Sequence, residues 1–325
     1  MSPTSNTVQT VTGPVAAADL GITLVHEHVL VGTPGWQFDA KAPPFRRADT
    51  MARAVDAMHE LQAEGVCTFV DPCPMDGGRD VEFLAELSSK SGMRIVCTTG
   101  AYFEAEGISQ TFRHLPEEEI AEIYVKEITE GVGETGIRAG AIKIATGPRV
   151  VTAYEKKMVS AGARAAKATG VPIISHTQDA TCGHDQIDLV TARGVSPHRL
   201  VVGHSDGTSD HWYQRGLAER GAFVGFDRFG ISVFISDEVR IQNVLRLAEA
   251  GHTERILLSH DSILCWMGRP VPYAQSYDEL RAMLPDWRPT LIFRKIIPKL
   301  IEGGMSQRQI DTILVDNPRR LFTGD

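Results

Sequence analysis

Four of the eleven histidines in this 325-residue chain fall at or near the carboxyl ends of short apolar runs. They are His26 and His28 in ITLVHEHVLV, His176 in VPIISH and His204 in RLVVGH, and another such run, RILLSHD, ends on Asp261. Imidazole and carboxylate are side chains that bind divalent metals. His26 and His28 are two residues apart, so on a strand both rings project from one face and can enter one site. Taken alone, two strand histidines with ordinary backbone hydrogen bonds explain that pair as well. A helical HExxH zinc site is excluded, because position 30 is Leu30.

Lys143 lies inside the apolar run AIKIA. A charged, unpaired lysine there would cost several kcal/mol. Its tail could snorkel to a rim carboxylate. The chemical alternatives are a base of depressed pKa, a Schiff-base nucleophile, or a lysine carboxylated by CO2, for which burial beside cations favours the reactive neutral amine. Charge favours the last of these. Two divalent ions would bring four positive charges and neutral imidazoles offset none, whereas Asp261, a carbamate and a bridging hydroxide supply three negatives.

Such residues need a scaffold that converges them. Eight short apolar runs alternate with amphipathic stretches: the strand candidates begin at Ile22, Val66, Met93, Ile137, Val171, Arg199, Ala222 and Arg255. Helix candidates are Asp49–Glu64, Arg79–Ser91, Pro116–Gly131, Ala153–Thr169, Gly183–Arg193, Asp237–Ala250 and Thr290–Glu302, with Thr152 as a cap and Gly65, Gly170, Gly221 and Gly251 as stops. Continuous rather than alternating apolar strands are those of a parallel sheet covered on both faces. Eight βα units predict a (β/α)8 TIM barrel over 1–325 as one domain, and barrel enzymes keep their chemistry at the carboxyl ends of the strands. A doubly wound sheet would need a glycine-rich turn where His26-Glu27-His28 stands. The longest irregular stretch, 262–289, follows strand eight, where a long loop is usually functional.

Composition narrows the class further. With 23% charged and 42% hydrophobic residues the chain is ordinary for a globular protein, and a net charge of −8 argues against a nucleic-acid partner. Five scattered cysteines without a CxxC pair suggest reduced thiols in the cytoplasm. The first cationic side chain is Lys41 and no apolar run reaches the length of a span, so neither a secretory signal nor a membrane helix is expected.

His26-Glu27-His28, Lys143 in TGIRAGAIKIAT, His176 in PIISHT, His204 in VVGHSDGTSD, Asp261 in LLSHDS and the closing LVDNPRRLF together resemble the phosphotriesterase family of the amidohydrolases, from about Thr10 to Phe322. Within it the chain is most similar to the phosphotriesterase-like lactonases, on Tyr102 in GAYFEAEG, Arg228 in GFDRFG and the loop from Cys265-Trp266 to Trp287. The resemblance implies that His26, His28 and Asp261 ligate the more buried metal and His176 and His204 the more exposed one, with carboxylated Lys143 bridging both. Histidine and carboxylate ligands suit zinc, with cobalt, manganese or iron as further candidates. A metal-bridging hydroxide would then open a lactone, with Asp261 carrying the proton to the leaving alkoxide and Tyr102 and Arg228 at the rim. Cys265 and Trp266 would line the substrate site and 262–289 would form its lid.

N-acyl-homoserine lactones are the implied substrates, a quorum-quenching activity, with γ- and δ-lactones and promiscuous organophosphate hydrolysis beside them. A homodimer is implied by the resemblance alone. The same fold and metals would equally serve a phosphotriesterase or another ester or amide hydrolase. A non-enzymatic metal-binding scaffold would be expected to lack a ligand position, and none is lacking. On simpler readings Tyr102 is a packed rim aromatic, Arg228 pairs with Asp227 or another loop carboxylate, and Asp206 caps a helix. His59, His114, His184, His198, His211 and His252 are read as surface residues, and His260 as pointing away from the barrel interior.

Overall fold

The computed structural model describes residues 6–107, 110–233 and 235–324. Eight strands form one parallel sheet: β1 (Ile22–Leu24), β2 (Val66–Asp71), β3 (Arg94–Gly100), β4 (Ala141–Thr146), β5 (Ile173–Thr177), β6 (Leu200–Val202), β7 (Phe223–Phe226) and β8 (Ile256–Leu258). Each pairs in parallel with its sequence neighbours, giving the order β8-β7-β6-β5-β4-β3-β2-β1. The sheet curls into a nearly closed TIM barrel with helices between its strands. These are α1 (Arg47–Ala63), α2 (Val81–Ser91), α3 (Glu117–Thr129), α4 (Ala153–Thr169), α5 (Gly183–Ala192), α6 (His211–Glu219), α7 (Asp237–Leu247) and α8 (Ile297–Glu302). α4 shows how local chemistry sets the ends. Thr152 and Glu155 form a reciprocal capping box at its start, and Gly170 ends it at φ 77°.

Strand alternation sorts the core into two layers. Val70, Val96, Ala141, Ile174, Val201, Phe223 and Leu257, one from each of β2 to β8, cluster inside with Val8, Leu20, Leu321 and Phe322. The antiparallel hairpin Thr7–Thr10/Gly13–Ala16 and the last helix, Asn317–Thr323, thus contribute side chains to that inner cluster. Alternate residues such as Phe69, Ile95, Ile142, Ile173 and Val224 pack outward under the helices. Lys143 shares the parity of Ala141, so it points inward.

Several expectations change. The first apolar run is not one strand: the chain leaves β1 after Leu24, and His28–Val31 pairs in parallel with Ile263–Trp266. The stretch 262–289 therefore carries that strand and a helix, Tyr277–Met283, and is not irregular throughout. α6, the hairpin and the helices within Gln307–Thr323 are additional elements. All five cysteines are free thiols, and no helix among the described residues is long and apolar enough to cross a membrane.

Candidate active site

Every residue expected at the rim except Cys265 lies around one cavity of about 380 Å³ at the carboxyl ends of the strands. His26 follows β1, His176 lies in β5, His204 follows β6, Asp261 follows β8 and Lys143 reaches up from β4. All four histidines and Lys143 are buried, and Asp261 keeps limited exposure. Nε2 of His26, His28 and His204 lies 3.8, 3.3 and 3.8 Å from the Asp261 carboxylate. Lys143 Nζ is 2.9 Å from His26 Nε2. His204 and Asp261 take left-handed backbone conformations at φ 56° and 53°, uncommon for residues other than glycine and concentrated at functional sites.

Outer partners orient the rings. Asp227, just past β7, accepts from Nδ1 of both His26 (2.9 Å) and His204 (2.8 Å), turning both Nε2 atoms inward. Room for that carboxylate comes from Gly203 and Gly225, where a Cβ would come within 3.2 and 2.7 Å of Asp227 Oδ2. Asp71 takes His28 Nδ1 at 3.2 Å together with the amides of Val29 and Cys73. His176 is set the other way: Gln178 Oε1 holds its Nε2 at 2.8 Å, and its Nδ1 faces the cavity beside the Tyr102 hydroxyl at 3.2 Å. These carboxylates and Gln178 were not among the residues foreseen.

The electrostatics suit a metal centre. Burial lowers the pKa of His26 to about 3, with Lys143 adding to the effect, and lowers His176 and His204 as well, leaving neutral ligand-ready rings. Burial also acts downward on His28, but its hydrogen bonds with Asp261 and Asp71 outweigh this and raise it: a cation belongs between those carboxylates. Burial would raise Asp261, yet His204, His28 and Arg228 hold it well below the usual carboxylate range. Burial brings Lys143 down to about 8, against the opposing pull of Asp261 and Asp227.

His26, His204 and Asp261 bring ligand atoms within 4.8 Å of one another, and so do His28, Asp71 and Cys73. The second group is the poorer candidate. Cys73 stays a thiol, its pKa raised by burial and its Sγ donating to Gly77 O at 3.2 Å, and Asp71 is occupied as the orienting partner of His28. Removing the shared carboxylate should separate orientation from fold. Asp227→Asn is expected to weaken divalent-ion retention by roughly 10–100-fold, read by chelator competition, with the circular dichroism spectrum unchanged.

At the rim, Arg228 pairs with Asp261 (Nε to Oδ2, 3.2 Å) rather than with Asp227. Asp206 does not cap a helix. It is buried, accepts the Arg228 amide at 3.0 Å and lies 3.0 Å from Arg240 Nε. Arg240 in turn binds the Ile231 and Ile235 carbonyls, bracing the loop that carries Arg228. Trp266 lines the cavity, but Cys265 does not. Neighbouring strand side chains face opposite ways, and Cys265 packs against α1, its Sγ 3.8 Å from Thr50 Oγ1. The six histidines read as surface residues are exposed or half-buried, and His260 turns outward as expected, its Nε2 accepting from the Ile292 amide.

A parallel barrel that gathers histidines, an aspartate and a buried lysine at one rim is the architecture of a metal-dependent hydrolase. The chain belongs to the phosphotriesterase family, which it matches over residues 6–322 and whose members are binuclear metal hydrolases. It is 32% identical to an aryldialkylphosphatase of Saccharolobus solfataricus, over 95% of this chain and 97% of that one. Among solved structures, an organophosphorus hydrolase from Deinococcus radiodurans matches with 42% identity and a TM-score of 0.92, over 98% of this chain and 97% of that one. A mutant of a PTE-like lactonase from the same organism matches with 41% identity and a TM-score of 0.91, over 97% and 99%.

Proposed function

We propose that this protein hydrolyses lactones, with N-acyl-homoserine lactones as its main substrates, γ- and δ-lactones accepted, and organophosphate triesters cleaved as a side activity. The observation that carries this reading is the cavity's roof. Ile263, Trp266, Leu280, Met283, Leu284 and Trp287 from the segment 262–289 stand over the polar floor with Ile231 and Val233. Arg228 and Lys143 are the only lysine or arginine side chains among the described lining residues. An acyl chain fits such a wall, whereas a phosphodiester would call for a cationic one. The segment then serves as a lid that shuts water out of the site.

His26, His28 and Asp261 would hold one divalent ion and His176 and His204 the other, with Lys143 as a carbamate between them. Bound there, zinc, cobalt, manganese or iron would polarise the scissile carbonyl and make a water acidic enough to supply a nucleophile near neutral pH. Asp261 takes the nucleophile's proton on its carboxylate and returns it to the departing ring oxygen. Arg228 holds that carboxylate by its ion pair. Burial raises the Tyr102 phenol well above its usual pKa, so it remains a donor that can orient the lactone beside His176.

A phosphotriesterase is the second reading, favoured by the names of two of the relatives. One metal-loaded preparation assayed on acyl-homoserine lactones, simple γ- and δ-lactones and an aryl phosphotriester decides between them. Lactone turnover should dominate, rise with acyl-chain length to a limit, vanish on chelation and return with added metal. Efficient phosphotriester cleavage with no lactone turned over would overturn the proposal.

A further inference from the structure

Glu27 separates His26 from His28 and has no part in the proposed chemistry, yet it is fully buried, as is His260. Among the described residues no backbone ladder joins β1 to β8. Just past those strands His28–Val31 pairs in parallel with Ile263–Trp266, and the His28 amide donates to Ser262 O at 2.7 Å. Between that ladder and the strand ends, further bonds close the seam. Ser259 Oγ accepts the amides of Val25 (3.0 Å) and His26 (3.1 Å), and the Asp261 amide donates to His26 O (3.0 Å).

The Glu27 carboxylate completes the seam with four donors. Oε1 accepts the His260 amide at 2.8 Å and His260 Nδ1 at 2.6 Å; Oε2 accepts the Ser262 amide at 2.9 Å and Ser262 Oγ at 2.5 Å. One carboxylate thus grips both chain neighbours of Asp261 while lying between His26 and His28. His260 is anchored on its far side too: Nε2 accepts from the Ile292 amide at 3.0 Å, and its carbonyl accepts from Nε1 of Trp287, a roof residue, at 3.0 Å. A carboxylate is costly to bury, but four converging donors offset the loss of water.

We infer that Glu27 is a positioning residue: by holding His260 and Ser262 it keeps Asp261 in its left-handed conformation and registers Asp261 against His26 and His28. This rests on the reading of those three as one ligand set. A glutamine of the same shape cannot accept on its amide nitrogen. With its carbonyl facing His260 it would lose the bond from the Ser262 amide and set an N–H against an N–H, while the Ser262 hydroxyl would have to turn from donor to acceptor. Ser262→Ala removes one bond and leaves the carboxylate, keeping the test open if Glu27→Gln does not fold.

The experiment is visible absorption of the cobalt-loaded protein, with chelator competition and lactone turnover beside it. The wild type should show ligand-field bands of a histidine–carboxylate site. Glu27→Gln should shift those bands, weaken cobalt retention roughly 10–100-fold and lower kcat at least about tenfold, and Ser262→Ala should move all three the same way by less. A merely structural role would lower Tm and leave the bands in place. Normal wild-type bands left unchanged by both variants would overturn the inference alone. A wild type without such bands would overturn the ligand assignment and this inference with it. Normal bands without lactone turnover would overturn the substrate proposal, and the band shift would still decide the role of Glu27.

Discussion

Replacing Lys143 with Met is expected to lower turnover on the order of a thousand-fold or more, the scale of losing a preorganised electrostatic group, while making the metal-free chain more stable. Lys143 is 1% exposed and shares the inward face of β4 with Ala141. Its pKa falls from 10.5 to about 8 because burial penalises the ammonium. For a lysine lowered in this way the cost is fully present below about pH 8, where folded and unfolded chains both carry the proton. It fades as pH rises towards the unfolded value. A shift of that size corresponds to roughly 3 kcal/mol, which an uncharged methionine of similar shape would relieve. Chemical denaturation of the metal-free proteins at pH 7 checks the gain, and a lactone assay of the metal-loaded proteins checks the loss. Normal turnover in Lys143→Met would sink the bridging role.

The same shift bears on carboxylation. At pH 7 a group of pKa about 8 is neutral in roughly one molecule in ten, against about one in three thousand at the ordinary value. The neutral amine is the form that attacks CO2. At a fixed concentration of dissolved CO2, reactivation of stripped enzyme by metal should therefore quicken from pH 6 to pH 8 and then level off, and short carboxylates added to Lys143→Ala should restore part of the activity.

Much of this site could be read along the chain because parallel strands buried on both faces stand out as continuous apolar runs, and a polar side chain closing such a run is conspicuous. Periodicity says which way Lys143 points. It does not say what lies opposite. Asp227 meets His26 across 201 residues of sequence and Asp71 meets His28 across 43, so neither spacing nor alternation exposes them. Glu27 was in view between two marked histidines, but its partners stand 233 and 235 residues away. α6 escaped notice because it is short and opens on polar and aromatic residues. The resemblance of the loop from Cys265-Trp266 to Trp287 puts both residues at the substrate site, but alternation sends neighbouring side chains to opposite sides and only Trp266 lines the cavity.

Asp261→Asn should cost about a hundred- to ten-thousand-fold in kcat, the range for a positioned proton-transfer group. Asparagine tolerates the left-handed conformation at φ 53°, so the backbone should hold. What disappears is a carboxylate that His204, His28 and Arg228 keep ionised, and with it the acceptor for the nucleophile's proton. Metal retention would also fall, so ligation and proton transfer have to be separated. The leaving group does this. A ring oxygen that departs as an alkoxide needs the proton that Asp261 returns, whereas one that departs as a phenolate does not. With cobalt saturating both proteins, Asp261→Asn should therefore lose at least about tenfold more activity on an alkyl lactone than on an aryl lactone. Equal losses on the two substrates would mean that Asp261 serves the metals alone and that the proton returns by another route.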